Sequence, residues 1–244
     1  AARRGGPCAR PHEGGSDIGT QWVRGELRKD ELAHLLERVA GYVLGHKNQV
    51  IGVAVTVVGV ALATWYIVAR NARMMEEADG KLSQGMGMTR QGMADQALAT
   101  YDEVIQYLGR TRAAPFAYLY KGDLLFSKGR FQEAADTYSA YLIKFEANQL
   151  TSHILLGLGR AYEGFGNLPE AVKAYERFLD KFADRYLAPE AIMGLARCYE
   201  GLGQKESATP QYERVAALYP NTLWTQMAQM RLAMLKGQPR PPPP

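Results

Sequence analysis

The sequence GRAYEGFGNLPEAVKAYERF, residues Gly159–Phe178, recurs along the chain at intervals of 37 residues. Five register positions are held over four copies with only conservative exchanges. These positions are Gly85, Gly122, Gly159 and Ala196; Gly92, Gly129, Gly166 and Gly203; Ala97, Ala134, Ala171 and Ala208; Tyr101, Tyr138, Tyr175 and Tyr212; and Leu108, Phe145, Phe182 and Tyr219. A fixed period of this length is the signature of a repeat protein.

Each copy predicts two helices joined by a tight turn at a glycine, where a positive φ costs little. In the third copy the helices are expected over Ser152–Glu163 and Leu168–Lys181. The small residues allow close backbone approach, and the tyrosine fills the space beside them. Because so short a helix pair cannot bury its apolar face alone, neighbouring pairs must stack. The sequence therefore predicts an all-α, right-handed α-solenoid of about four pairs, with 223–236 as a capping helix.

The order of small residue, aromatic, glycine, alanine and aromatic resembles the tetratricopeptide repeat, and Pro220 after Tyr219 matches that family's terminal proline. The period departs from the family's usual length of about 34 residues, because the links between pairs are longer. This longer form is similar to the tetratricopeptide proteins of the Gram-negative cell envelope. The resemblance covers residues 79–236 and implies a solenoid that binds other proteins.

A second feature is the uncharged run of nineteen residues from Val50 to Val68. At about 1.5 Å per residue such a helix spans the roughly 30 Å hydrocarbon core of a bilayer. Trp65 and Tyr66 lie at one end, where aromatic rings favour the membrane interface. The run predicts a single transmembrane helix over 48–70. A buried soluble helix and a signal sequence cleaved near 61–63 are the alternatives.

The remaining segments complete the expected domain order. Residues 1–23 predict a disordered N-terminal segment, 71–236 the solenoid, and 237–244 a proline-rich tail in polyproline II conformation. Residues 24–47 predict an amphipathic juxtamembrane helix. Its apolar face consists of Leu32, Leu35, Leu36, Val39 and Val43. This helix would lie on the membrane surface, contact a partner helix, or extend the next segment.

The basic residues around the predicted span suggest its orientation. Five Lys or Arg residues at 24–47 precede it and three at 70–81 follow it closely, a slight positive-inside bias. The bias places the N-terminus in the cytoplasm and the repeats in the periplasm, and so predicts a single-pass protein of the bacterial inner membrane.

In stacked repeats, side chains at the second, fifth, ninth and twelfth positions of the first helices line a concave groove. Here these positions predict a partner-binding groove that is apolar at its centre and would hold an extended or helical polypeptide. The candidates are Phe116, Leu119, Asp123, Phe126, His153, Leu156, Arg160, Glu163, Met193, Arg197 and Met230. Two alternatives remain open at this stage. The apolar members would pack neighbouring helices, and Arg160 and Arg197 would pair with Glu163 and Glu200.

Nothing in the sequence favours catalysis, a cofactor or a metal. The four histidines are scattered, and the two cysteines, Cys8 and Cys198, have neither metal-ligand spacing nor a disulfide framework. Cys198 is expected in the core. The net charge of +4 is diffuse, and no basic run with interleaved aromatics predicts nucleic-acid binding.

The layout of a short N-terminal region, one span and a tetratricopeptide-like domain resembles the ancillary subunit family of the bacterial Sec translocon. That resemblance implies a role in protein export, with translocon subunits, exported proteins or periplasmic chaperones as partners. The repeats also resemble the TolA-binding division-coordinator proteins and the barrel-assembly lipoprotein. These relatives imply the alternative of an envelope-assembly or division scaffold with Tol or cell-wall partners. A self-assembling, homo-oligomeric repeat protein and an inverted topology with a cytosolic receptor are further alternatives.

Overall fold

The structure of the protein is a computed structural model that describes residues 37–38, 41, 45–145, 149–183 and 186–237. Nine α-helices and no strand lie in these residues. The helices are α1 (Lys47–Arg90), α2 (Ala94–Tyr107), α3 (Ala114–Ser127), α4 (Phe131–Phe145), α5 (Thr151–Gly164), α6 (Leu168–Phe182), α7 (Ala188–Gly201), α8 (Lys205–Leu218) and α9 (Leu223–Leu235). The predicted segment 1–23, most of the predicted helix 24–47 and all but the first residue of the predicted tail lie outside the described residues.

The chain divides into two compact units, Ala1–Val68 and Ala69–Pro244. What is described of the first unit is mainly the apolar half of α1, where every side chain from Ile51 to Val68 is exposed. Its two threonine hydroxyls donate back to main-chain carbonyls, Thr56 to Gly52 and Thr64 to Val60, both at 2.8 Å. Those bonds satisfy both hydroxyl donors within the helix, which suits an apolar environment.

The second unit consists of stacked helix pairs, which confirms the predicted solenoid. The end of α1 pairs with α2, followed by the pairs α3–α4, α5–α6 and α7–α8, and α9 supplies the first helix of a fifth copy. The third-copy helices lie within one residue of their predicted limits. From α2 onward each helix contacts the next along the chain, and from α3 onward the first helices of successive copies also contact one another. The end of α1 contacts α2 through Gly85 and Thr89, which lie against Tyr101.

The four turn glycines adopt the positive φ that the sequence predicts. Gly92, Gly129, Gly166 and Gly203 have φ of 78°, 73°, 87° and 74°. After Gly129 and Gly166, the next residue's N–H donates back to a carbonyl near the end of the helix just completed, as in Arg130 to Leu125 at 2.9 Å. This closure reverses the chain, and the second helix then packs against the first.

The first helix of copy one differs from expectation. Gly80, Gly85, Gly87 and Gly92 predict a weak first helix that frays or acts as a hinge between membrane and solenoid, yet α1 is helical throughout to Arg90. Only Gly85 is buried, and it faces the ring of Tyr101. Ion pairs from Lys81 to Glu103 and from Arg112 to Asp79 also attach this part of α1 to the rest of copy one and the start of copy two. Tertiary packing therefore compensates for the low helix propensity.

Candidate functional site

In copies one to three the buried tyrosine of the repeat, Tyr101, Tyr138 or Tyr175, lies against a glycine of its own first helix, whereas copy four has Ala196 at that register. In copies two and three a glycine of the next copy's first helix flanks the ring as well. A Cβ at Gly159 would lie 2.6 Å from Cε1 of Tyr175, and one at Gly157 would lie 2.8 Å from Cζ of Tyr138. Gly194 approaches Tyr175 in the same way, and Gly122 approaches Tyr138. The repeat pattern predicts one glycine of each set, but Gly157 and Gly194, which the 37-residue spacing relates to each other, were not predicted.

The tyrosine hydroxyls end at polar groups on the concave side of the first helices. Tyr175 donates to Glu163 Oε2 at 2.9 Å and Tyr212 donates to Glu200 Oε2 at 2.8 Å. In copy one the hydroxyl of Tyr101 is 3.1 Å from that of Thr89, at the same register. From the sequence, these tyrosines are expected only to fill the space beside the small residues. The sequence could have indicated the acceptors Glu163 and Glu200, because each lies twelve residues before its tyrosine.

Copy two breaks this rule because Phe126 occupies the acceptor position. Tyr138 instead donates to Asp123 Oδ1, one helical turn earlier, at 2.6 Å. Burial, together with the carboxylate it contacts, raises the pKa of the Tyr138 phenol. Asp123 remains exposed to solvent, but surrounding protein replaces much of its bulk water. This desolvation raises the pKa of its carboxyl, against the opposing effects of Tyr138 and Arg160.

A second set of contacts joins successive first helices on the same face. Arg197 donates from Nε and a terminal nitrogen to the two carboxylate oxygens of Glu163, at 2.7 and 2.9 Å. Arg160 has the same register relation to Phe126, and its guanidinium lies 4.6 Å from the centre of that ring. Burial alone would lower the pKa of Arg197, but the hydrogen bonds and charge of Glu163 outweigh it and raise the pKa.

The alternative in which Arg160 and Arg197 pair with Glu163 and Glu200 of their own helices is therefore corrected. Arg197 pairs with Glu163 of the preceding copy, whereas Arg160 reaches Glu190 of the following copy at 3.7 Å. Glu200 is 3.6 Å from Arg231 on α9. Because both carboxylates also accept from tyrosines, these pairs connect second helices to first helices across copies.

The structure distributes the predicted groove residues unevenly. Asp123 and Arg160 are exposed, and Leu156 and Met193 are only 4% and 1% exposed. The half-buried members are Phe116, Leu119, Phe126, His153, Glu163, Arg197 and Met230. The expectation that Leu156 forms the open centre of a groove is therefore corrected, and Met193 likewise belongs to the core. Gly157 and Gly194 follow these residues and let the neighbouring helix approach closely enough to cover them.

Copy two has Tyr120 where the later copies have these glycines, and Leu119 beside it stays half-buried. A cavity of about 250 Å³ opens here on the concave side. It is lined by Met86, Thr89, Arg90, Tyr101, Tyr120, Asp123, Leu124 and Ser127. Of the predicted groove residues, Asp123 lines this cavity, which lies at copies one and two.

Two further residues from the sequence analysis, His153 and Cys198, have defined surroundings in the structure. His153 Nε2 lies 2.8 Å from the Tyr186 hydroxyl, and in the described part of the chain no group of three or more His, Cys, Asp and Glu side chains could hold a metal ion. Cys198 is fully buried, and burial raises the pKa of its thiol to about 12.

These features define a helical-repeat protein with a concave face. The chain belongs to the tetratricopeptide repeat family, whose sequence model matches residues 90–149 and 156–221, more than half of the chain. Members of this family are generally non-catalytic protein-interaction modules. Comparison with curated protein sequences gives no significant match.

Solved structures share the fold at low sequence identity. A MamA protein superposes with a TM-score of 0.57 at 17% identity, covering 66% of this chain and 84% of MamA. MamA from Desulfovibrio magneticus RS-1 gives 0.51 at 16% identity, covering 59% and 78%. A tetratricopeptide repeat protein from Parabacteroides merdae gives 0.58 at 15% identity, covering 66% of this chain and 61% of that protein.

Proposed function

We propose that this protein is a membrane-anchored interaction module whose concave face binds a polypeptide at copies one and two. The observation that carries the proposal is the cavity beside Tyr120. Apolar and aromatic side chains line it, and Asp123 supplies a carboxylate for a basic or main-chain donor of the partner. Family membership supports protein binding in general, and the ion pairs of Glu163 and Glu200 leave the later copies less accessible.

The apolar half of α1 supports the anchor. It is the described helix that is long and apolar enough to cross a membrane, and none of the side chains in its most apolar window is buried. Trp65 and Tyr66 are 69% and 62% exposed, as expected of residues that face lipid headgroups. We place the anchor in the bacterial inner membrane, with the repeats in the periplasm and a role in handing over exported proteins near the translocon.

The alternative is a scaffold for envelope assembly or division. It would use the same concave surface at copies one and two to bind Tol or cell-wall proteins. Self-assembly is a second candidate, and the outer face of α9 favours it. Leu195, Ala196 and Cys198 are nearly or fully buried in copy four, whereas Leu232, Ala233 and Leu235 at the same register are only partly buried. Leu223 is 69% exposed. This partly exposed apolar face would suit contact with a second copy of the chain.

The decisive experiment is photocrosslinking in cells from a photoreactive phenylalanine derivative at position 120. A matched control carries the same group at Glu206, which is exposed on α8. Adducts specific to position 120 with translocon subunits or exported proteins would support the export role. Tol or cell-wall adducts would support the scaffold, and cytosolic adducts would reverse the topology. Equal adducts from both positions would overturn the concave site.

Self-assembly is tested separately by light scattering of the full chain in lipid nanodiscs or mild detergent. If the α9 face joins two copies, Leu223→Lys should convert a dimer into a monomer, and Glu206→Lys should not. A monomeric wild-type chain at high concentration would reject this candidate.

A further inference from the structure

The exposed apolar side chains of the solenoid are concentrated along one of its edges. At this edge, which we call the link edge, each second helix ends and the first helix of the next copy begins. In the described part of residues 69–237, every large apolar or aromatic side chain that is more than half exposed lies within two residues of such a helix end. These residues are Tyr107, Ile143, Tyr186, Leu218 and Leu223. In the same part of the chain the turn edge, where the turn glycines lie, has none.

At copies one and two the link edge also carries two cations without a carboxylate partner among the described residues. Arg110, between α2 and α3, is exposed. Lys144, near the end of α4, extends onto the same link, because a Cβ at Gly109 would lie 2.6 Å from its Nζ. Tyr107 and Ile143, which are 75% and 88% exposed, lie close to these cations along the chain. The four side chains form one basic and apolar patch, which we call the link patch.

The carboxylates closest to the link patch in copy one are already paired with other cations. The pairs are Glu103 with Lys81, Asp102 with Lys121, and Asp79 with Arg112. They leave the charges of Arg110 and Lys144 uncompensated. In copy three Asp180 occupies the register of Ile143, so the patch ends at copy two.

The proposed anchor joins the solenoid at the same edge. First helices begin at the link edge, so residues 69–76 of α1 precede copy one there. The Arg112–Asp79 pair holds the link of the patch beside α1. Asp79 lies eleven residues after Val68, the last residue of the uncharged run, which is at most about 16 Å of helix. The headgroup layer takes up roughly 5–8 Å of this length, and an ordinary helix tilt and long side chains cover the remainder.

We propose that the link patch binds anionic lipid headgroups of the membrane that holds α1. This inference rests on the proposed anchor and adds a second contact with the same bilayer. Arg110 and Lys144 face the headgroup phosphates, while Tyr107 and Ile143 enter the interfacial layer, where amphipathic rings are favoured. The covalent connection to α1 favours lipid over a separate partner, because it keeps the bilayer beside the patch at a high effective concentration. The contact would fix the orientation of the solenoid on the membrane surface.

Lipid contact is measured with a fluorophore on the full chain in nanodiscs whose lipids carry a spin label on the headgroup as quencher. In a Cys8→Ser background, Gln106→Cys places the fluorophore beside Tyr107, and Gln91→Cys is the matched control. Both glutamines are exposed, and they lie at opposite ends of α2, about 20 Å apart. With phosphatidylglycerol in a phosphatidylcholine bilayer, the fluorophore at position 106 should be quenched more strongly than that at position 91. Without phosphatidylglycerol the difference should largely disappear.

Two double variants test the cations of the link patch. Each cation near an anionic surface changes a membrane equilibrium roughly fivefold, so Arg110→Gln with Lys144→Gln should lower the ratio of bound to unbound patch about thirtyfold. Lys128→Gln with Lys205→Gln removes two exposed cations from the turn edge and should leave the ratio within about twofold, since that edge is more than a Debye length away. Circular dichroism verifies that both variants are folded.

The outcomes separate the lipid contact from the anchor. A chain that does not co-elute with the nanodiscs in size-exclusion chromatography would overturn the anchor and this inference together. An inserted chain whose fluorophores at positions 106 and 91 are quenched equally would overturn the lipid contact and leave the anchor standing. Quenching at position 106 that persists unchanged without Arg110 and Lys144, or without phosphatidylglycerol, would likewise overturn the recognition of anionic lipid.

Discussion

At the scale of single residues, the tyrosine between two glycines is the most constrained arrangement in the repeat. The ring of Tyr175 has Gly159 on one side and Gly194 on the other, so it cannot move away from an added methyl group. Copy four has Ala196 at the register of Gly159, and Tyr212 there has Arg231 in place of a second glycine. The constraint is therefore strongest in copies two and three.

Gly159→Ala should destabilise the protein by about 1–2 kcal/mol, because overpacking costs more than the gain in helix propensity. Gly80→Ala is the matched control, since a Cβ there meets nothing within 4 Å. It should stabilise α1 by about 0.5–1 kcal/mol. Thermal unfolding of the full chain in detergent, followed by far-UV circular dichroism, measures both. Effects of the same sign would show that the glycine contacts do not control stability.

Cys198 gives a second residue-scale prediction. Its thiol is fully buried and has a pKa of about 12, and the thiolate is the reactive form. At about pH 8 the thiolate fraction is lower than that of a free thiol by roughly a thousandfold, and burial also excludes the reagent. In a Cys8→Ser variant, a maleimide should therefore modify no cysteine until denaturant is added. Rapid modification of the native protein would contradict the buried position.

Residue types alone predicted the buried side of the repeat and much less of its polar side. Glycine, alanine and tyrosine at a fixed period define the packing, because close approach has few chemical solutions. The partners of Arg160 and Arg197 depend on how successive copies are offset, which the sequence of one helix does not contain. The burial of Leu156 could not be predicted from its own helix either. Its exposure depends on how closely the neighbouring helix approaches at Gly157, which lies against Tyr138.

At the scale of helices, contacts between first helices of neighbouring copies determine which junctions are rigid. The contact from α7 to α5 is a doubly hydrogen-bonded pair of Arg197 and Glu163, whose side chains are half-buried. The contact from α5 to α3 is the ring of Phe126 under Arg160, whose side chain is 44% exposed. The Arg197–Glu163 pair should hold α7 and α5 together more strongly, because breaking it leaves the Glu163 carboxylate without its charged partner.

Arg197→Ala should accordingly cost about 1.5–3 kcal/mol, the range for hydrogen bonds to charged groups. Arg160→Ala should cost about 1 kcal/mol or less, as an exposed cation–π contact and a long ion pair contribute little. Urea unfolding compares the two variants. Adding Glu163→Gln to Arg197→Ala should recover part of the loss, because it removes the unpaired charge. Equal costs for the two arginines would contradict the different junctions inferred here.

The helices themselves were largely predictable, and the exception is instructive. The 37-residue period places every turn glycine, so the limits of α5 and α6 follow closely from the sequence. The end of α1 was predicted to be weak because glycine propensity was considered without the partners of Gly85, Lys81 and Asp79. Those partners come from copies one and two, so only the assembled repeats reveal them.

At the scale of the whole molecule, the apolar half of α1 exposes its side chains from Ile51 to Val68. Val57 and Val60 are both 61% exposed, so polar replacements there would not disturb a soluble fold. In a membrane each arginine near the bilayer centre costs about 2.5–3.5 kcal/mol, so two of them should prevent insertion. The same two substitutions should therefore prevent insertion if α1 spans a membrane, and should have little effect if α1 is exposed to water.

Wild-type protein should stay in the membrane fraction after alkaline carbonate extraction, and the double variant Val57→Arg, Val60→Arg should not. Gln132→Arg with Glu206→Arg is the matched control, since both positions are exposed on the solenoid, and it should behave like the wild type. Circular dichroism of the released double variant should still show folded repeats, because the second unit has its own core. Release of the wild type by carbonate would reject the anchor, whereas retention of the double variant would mean that another segment holds the protein at the membrane.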